Sequence, residues 1–186
     1  MSPLLVVVSG HAGTGKTTLA HRLAAAIGCP AICRDEIKEG MAAGSGFTGT
    51  PGDQLTWRTL PVFFSAIELL LRAGVTVVAE AAFQDQVWRP RLEPLQALAQ
   101  VRIIRCATPA AAAYARAVRR SDDDPVRRVH AHPWPDLAAF AREQAAFRAV
   151  ELGVPALDVD TSDGYRPGLT AIARFALGTR QPASGT

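Results

Sequence analysis

Apolar residues along the chain fall into two kinds of run. Pro3–Ser9 (PLLVVVS), Val75–Glu80 (VTVVAE) and Val101–Cys106 (VRIIRC) are short, nearly continuous apolar blocks rich in β-branched residues. That pattern is expected of strands buried on both faces of a parallel sheet. Ala31–Cys33 and Ala156–Asp160 are shorter strand candidates. Between the blocks the spacing becomes helical. A helix is predicted from Gly15, with Leu19, Leu23 and Ile27 at fourfold spacing and Gly28 and Pro30 as stop signals. A second helical element starts at Arg34-Asp35-Glu36-Ile37-Lys38, whose acids suit a helix N-terminus, and Gly40–Gly52 reads as a loop. Further helices are predicted over Asp53–Arg72, bent or begun near Pro61, and over Asp85–Gln100 despite Pro90 and Pro94. Three more follow over Pro109–Arg120, Asp136–Leu152 and Pro167–Ala176, with Ser121–Pro135 irregular.

Strands that alternate with helices imply a three-layer α/β fold, a parallel sheet covered on both faces. Residues 1–177 are expected to form one domain, with a small lid at about 116–135 and a polar tail over 178–186. Ligands of such sheets bind at the carboxyl ends of the strands, so the loops after Ser9, Cys33, Glu80, Cys106 and Asp160 should converge on one cleft.

Composition narrows the class. With 186 residues, 48% of them hydrophobic and 20% charged, the chain has the make-up of an ordinary globular domain, and disorder is excluded. No apolar run approaches the roughly 18 residues that span a bilayer, and Met1-Ser2-Pro3 lacks a basic leader, so a cytoplasmic protein without membrane partners is expected. Three cysteines, Cys29, Cys33 and Cys106, are too few for a disulfide framework and read as small buried groups. The net charge is +3, but it is not evenly spread. Residues 101–128 carry seven arginines against three acids, so this one segment is built to meet negative charge.

The chemistry is carried by Gly10-His11-Ala12-Gly13-Thr14-Gly15-Lys16-Thr17, which fits G-x-x-x-x-G-K-[ST] between a predicted strand and a predicted helix. Backbone N–H groups of such a loop point at phosphate oxygens, and the helix that follows presents its positive end to the same anion. Gly10, Ala12, Gly13, Thr14 and Gly15 would cradle the phosphates of ATP, with GTP as the alternative nucleotide. Lys16 would reach the β- and γ-phosphates, Thr17 would offer its hydroxyl to Mg²⁺, and Thr18 would contact the α-phosphate.

An acceptor site is sought beside that loop. Asp35, opening the element after the second strand, can take or orient a hydroxyl proton, and Arg34 and Lys38 can hold an anionic substrate or steady the carboxylate. Arg116 and Arg120, four apart on one helical face with Arg119, resemble lid arginines that bind phosphate bidentately on closure. Glu80 ends the third strand, where an acid can meet Mg²⁺, its waters or the substrate, though Ala79 stands where a motor ATPase has a second acid. Trp57 is a candidate for lining the acceptor pocket. Asp160 and Thr161 read as structural, Asp122-Asp123-Asp124 as a solvated turn, and His130 and His132 as surface histidines.

Together these residues resemble the AAA-type ATP-binding small kinases, the P-loop group of polynucleotide kinase, zeta toxin and chloramphenicol phosphotransferase. The resemblance spans most of the chain and rests on GHAGTGKTT, on Cys33-Arg34-Asp35-Glu36-Ile37-Lys38 and on Arg116-x-x-x-Arg120. It implies a five-stranded P-loop NTPase sheet of order 2-3-1-4-5, Asp35 as general base and an acceptor contact at position 38. Lysine replaces the group's arginine there, a point charge in place of a planar fork. The expected function is transfer of the γ-phosphate of ATP to a hydroxyl of a small molecule such as an antibiotic, nucleoside or sugar. A polynucleotide 5′-hydroxyl kinase and a non-kinase P-loop ATPase or switch are the alternatives. The first of these would make nucleic acid a partner, but it calls for a basic groove with stacking aromatics, which this sequence offers only sparsely.

Overall fold

The β-branched blocks become strands whose two faces are both buried. The computed structural model describes residues 2–44, 53–123 and 134–178. Strands β1 (Leu4–Ser9), β2 (Ala31–Cys33), β3 (Val77–Glu80), β4 (Gln100–Ala107) and β5 (Ala156–Asp160) pair in parallel in the order β2-β3-β1-β4-β5. This is the order the family resemblance implied. Helices α1 (Lys16–Ile27), α2 (Arg34–Gly44), α3 (Asp53–Arg72), α4 (Asp85–Leu92), α5 (Ala110–Asp123), α6 (Leu137–Ala146) and α7 (Leu169–Leu177) alternate with the strands.

Side chains on β1 point alternately to two separate cores, as the period of two requires. Leu5 and Val7 pack with Leu60, Phe63 and Ile67 of α3 and with Phe83, Trp88 and Leu92, whereas Val6 and Val8 pack with Leu19 and Leu23 of α1 and Ile172 of α7. The first core is strongly aromatic. Phe63 lies edge-on to both Phe64 and Trp88, with ring centroids 5.4 and 6.1 Å away. A smaller cluster of Ala113, Ala117 and Phe140 joins α5 to α6.

Several boundaries differ from the sequence expectation. The first residues of the loop expected from Gly40 are helical, because α2 continues to Gly44. Its last turn packs on α3, with Ala42 buried and the Thr59 hydroxyl 3.7 Å from Met41 Sδ, and this packing outweighs the low helix propensity of glycine. Helix α3 is already helical from Asp53, so Pro61 does not begin it. The helix expected to reach Gln100 stops at Leu92, where Pro94 starts a 3₁₀ turn over Glu93–Ala97. Helix α5 runs past Arg120 to Asp123, so the expected irregular stretch opens with helix and Asp122-Asp123 is not a turn.

Helix α6 ends at Ala146 instead of Leu152. The following residues run extended against the segment after β3: Val150 N–H donates to Phe83 O (2.9 Å) and Asp85 N–H to Arg148 O (3.0 Å). Val150 is thereby fully buried, and burial plus backbone pairing wins over local helix preference. Positions 124–133 of the expected lid, with Asp124, Arg127, Arg128, His130 and His132, lie outside the described residues, as do positions 45–52 of the expected acceptor loop. No helix among the described residues is long and apolar enough to cross a membrane.

Phe63→Ala should lower stability by about 3–5 kcal/mol, the usual cost of emptying a buried phenylalanine site. Chemical denaturation checks this; a loss below about 1 kcal/mol would remove Phe63 from the centre of the core.

Candidate active site

The phosphate loop leaves β1 at Ser9 and enters α1 at Lys16. Gly13 has φ +73°, and a Cβ there would sit 2.0 Å from the carbonyl oxygen of Ala113, so only glycine lets the loop lie against α5. On its other side the Thr161 hydroxyl, after β5, donates to the Thr14 carbonyl at 2.6 Å. The Thr14 hydroxyl turns inward to His11 O at 2.8 Å. These bonds use up groups that would otherwise compete with a ligand and leave the loop braced by two distant elements.

Lys16, Thr17 and Glu80 meet at the carboxyl ends of β1 and β3, where Val8 and Glu80 are register partners. Lys16 Nζ is 3.7 Å from Glu80 Oε1, and the Thr17 hydroxyl donates to Glu80 Oε2 at 3.2 Å. Glu80 is 1% exposed. Burial pushes its carboxyl above the ordinary value of 4.5, the Lys16 ammonium and the Thr17 hydroxyl act against this, and the charges of Asp35 and Glu36 add to the rise. Glu80 therefore lies within electrostatic range of the Asp35 carboxylate.

Asp35 sits in the first turn of α2, and its carboxylate accepts a hydrogen bond from Arg34 Nη1 at 3.0 Å. Arg34 reaches on to the Thr56 carbonyl (3.5 Å) and lies over the Trp88 ring, its carbon 6.0 Å from the centroid. Its Nε is buried without a hydrogen-bond partner. Lys38, one turn after Asp35, is buried. Trp57 does not line the cavity beside the phosphate loop; it is 62% exposed at the start of α3.

That cavity, about 430 Å³, is lined by Gly15, Thr18, Arg22, Arg116, Arg119, Arg120, Thr161, Gly164 and Tyr165. It thus brings together both expected lid arginines and the end of the phosphate loop. Arg116 already has protein partners, donating to the carbonyls of Thr161 (3.0 Å) and Ser162 (2.6 Å). The guanidinium holds the loop after β5 as well as facing the cavity.

A family model for an AAA domain, AAA_33, matches residues 5–156. This chain belongs to that AAA domain family. No curated protein sequence matches it. Among solved structures, a proposed kinase from Chloroflexus aurantiacus J-10-fl is 23% identical, with TM-score 0.85, covering 97% of this chain and 100% of that one. A gluconokinase from Sinorhizobium meliloti 1021 is 19% identical with TM-score 0.55 over 95% and 90% of the two chains. Shikimate kinase from Acinetobacter baumannii, in complex with shikimate, is 18% identical with TM-score 0.54 over 97% and 96%. The fold of this AAA domain is that of the small P-loop kinases.

Sequence reasoning passed over three contributors. Arg22 is four residues after Thr18, so helical spacing puts it on the cavity side of α1, a signal that was available. Tyr165, over which Arg22 lies at 5.8 Å, comes from a loop that spacing does not locate. His11, inside the loop motif, is buried against Trp134, Phe140 and Phe147, with Nε2 3.3 Å from Glu143. Burial lowers its pKa despite that carboxylate. Nothing local in the sequence announces this packing.

The raised Glu80 carboxyl fixes a sign. A folded-state pKa above the unfolded one means that the folded protein holds the proton longer, so stability falls as pH rises from 4.5 through the raised value. Urea denaturation across that window should show a shallower decline for Glu80→Gln than for the natural chain; equal slopes would contradict the burial argument.

Proposed function

We propose that this protein is an ATP-dependent kinase that transfers the γ-phosphate to a hydroxyl of a small molecule, with Asp35 as general base. The observation that carries the reading is the buried Glu80 carboxylate, which touches both Lys16 and Thr17 and feels the charge of Asp35. A cation suited to phosphate and a hydroxyl suited to a metal thus meet at one carboxylate, within electrostatic range of the base candidate. The kinase names borne by the gluconokinase and shikimate kinase neighbours, both of which share this fold, favour a small hydroxylated acceptor.

In this reading the loop amides and Lys16 hold the triphosphate tail, and Arg116 and Arg120 close on it from α5. Asp35, oriented by Arg34, accepts the proton of the acceptor hydroxyl while its oxygen forms a bond to the γ-phosphorus. The bond from that phosphorus to the β,γ-bridging oxygen breaks, and ADP leaves. The donor set fits Mg²⁺: the Thr17 hydroxyl and the Glu80 carboxylate are hard oxygens, and the carboxylate is buried where a cation would offset its charge. When bound, Mg²⁺ neutralises charge developing on the phosphate oxygens. Lys38, buried near Asp35, supplies positive charge towards an anionic acceptor, and Trp57 stands at the outer edge of the α2–α3 side.

Transfer of label from ATP to a panel of nucleosides, aminoglycosides, sugars, polyol acids and 5′-hydroxyl oligonucleotides tests the reading. Label should land on a small molecule; label on the oligonucleotide alone, or release only as inorganic phosphate, would overturn it. Asp35→Asn should keep nucleotide affinity and lose transfer by about a hundredfold or more, the scale of general-base loss. Lys16→Ala should weaken both nucleotide binding and transfer, as calorimetry and the same assay would report.

A further inference from the structure

One helical turn beyond Thr17, three side chains from three elements converge. His21 of α1, Cys33 at the end of β2 and Glu36 in the first turn of α2 place a ring nitrogen, a sulfur and a carboxylate oxygen within 4.8 Å of one another. His21 Nε2 is 2.6 Å from Glu36 Oε1 and 3.6 Å from Cys33 Sγ. The phosphoryl-transfer reading makes no use of them.

We propose that His21, Cys33 and Glu36 form a binding site for a thiophilic divalent cation of the zinc class, with water in the fourth position. Imidazole nitrogen, thiolate sulfur and carboxylate oxygen are the three donor types that zinc selects, whereas Mg²⁺ gains little from sulfur, so this site and the Thr17–Glu80 oxygens sort cations by softness. The spacing agrees. Bonds of about 2.3 Å to sulfur and about 2.0 Å to nitrogen at a tetrahedral angle separate the two ligand atoms by roughly 3.5 Å, close to the observed 3.6 Å. Oxygen and nitrogen need roughly 3.3 Å between them, so the Glu36 carboxylate must withdraw by about 0.7 Å. It has room to do so: the His21 and Glu36 side chains are 50% and 43% exposed.

Burial divides the labour. Cys33 is 2% exposed and anchors the site on the sheet, while the other two ligands sit at the surface and leave a route of entry. The surroundings are acidic, since the buried Glu80 lies within electrostatic range of both Glu36 and Asp35. A cation relieves that repulsion. On binding it replaces the Cys33 thiol proton, which passes to water, and no electrons move. An occupied site would tie α1, which carries Lys16 and Thr17, to α2, which carries Asp35.

Titration of the full chain with Co²⁺, followed by displacement with Zn²⁺, tests the proposal without nucleotide or acceptor, so its failure is separate from failure of the kinase reading. The expected result is one equivalent bound, with a near-ultraviolet thiolate-to-cobalt charge-transfer band that Zn²⁺ removes. The band should be absent in Cys33→Ser and unchanged in Cys29→Ser. His21→Ala, at an exposed position that leaves the core intact, should weaken binding by at least about tenfold. Absence of the band at excess Co²⁺, its persistence in Cys33→Ser, or natural affinity in His21→Ala would each overturn the site.

Discussion

A carboxylate almost without solvent contact, Glu80, is held against the ammonium of Lys16 and the hydroxyl of Thr17, and the functional end of the molecule is arranged around that contact. Removing an acid from water is costly, and the cost is offset only where a cation and a hydrogen-bond donor stand at the right distance. Both partners come from the first turn of α1, while the acid comes from the end of β3. The contact therefore exists only because β3 lies beside β1 with Val8 opposite Glu80. A shift of that register by one residue would turn Glu80 to the other face of the sheet and leave Lys16 facing apolar side chains.

The phosphate loop is restrained in the same way, from outside itself. Gly13 accepts the approach of the α5 backbone at Ala113, and Thr161 binds the Thr14 carbonyl from beyond β5. Arg116 links these two supports, since it rises from α5 and donates to the carbonyls of Thr161 and Ser162. His11 adds a third tie by burying its ring among aromatics on and around α6. A loop whose amides must all face one anion cannot rely on its own few residues, and three packed elements supply the rigidity.

Much of this was legible beforehand, for identifiable reasons. The strands of the sheet's interior announced themselves because burial on both faces demands continuous apolar side chains, as in Leu5–Val8. The loop motif was legible because glycine, lysine and threonine are each required by backbone or phosphate chemistry at fixed spacing. What failed were the ends of helices. The stretch from Gly40 reads as loop yet stays helical to Gly44 because α3 packs on it, and Phe147–Glu151 reads as helix yet runs extended because the segment after β3 offers it backbone partners. In both places contacts distant in sequence outweighed local preference by more than propensity differences amount to.

By itself, then, the sequence determined the alternation of strands and helices, the phosphate loop and the candidacy of Asp35, because these are encoded in periodicity and in what single residue types can do. Strand order came from likeness to a family and not from periodicity. Only the tertiary structure decided that Glu80 pairs with a lysine and a threonine from α1, 63 residues from Thr17 along the chain, and that His21, Cys33 and Glu36 meet. Pairings of that kind depend on sheet register and helix packing, which no local pattern of residues specifies.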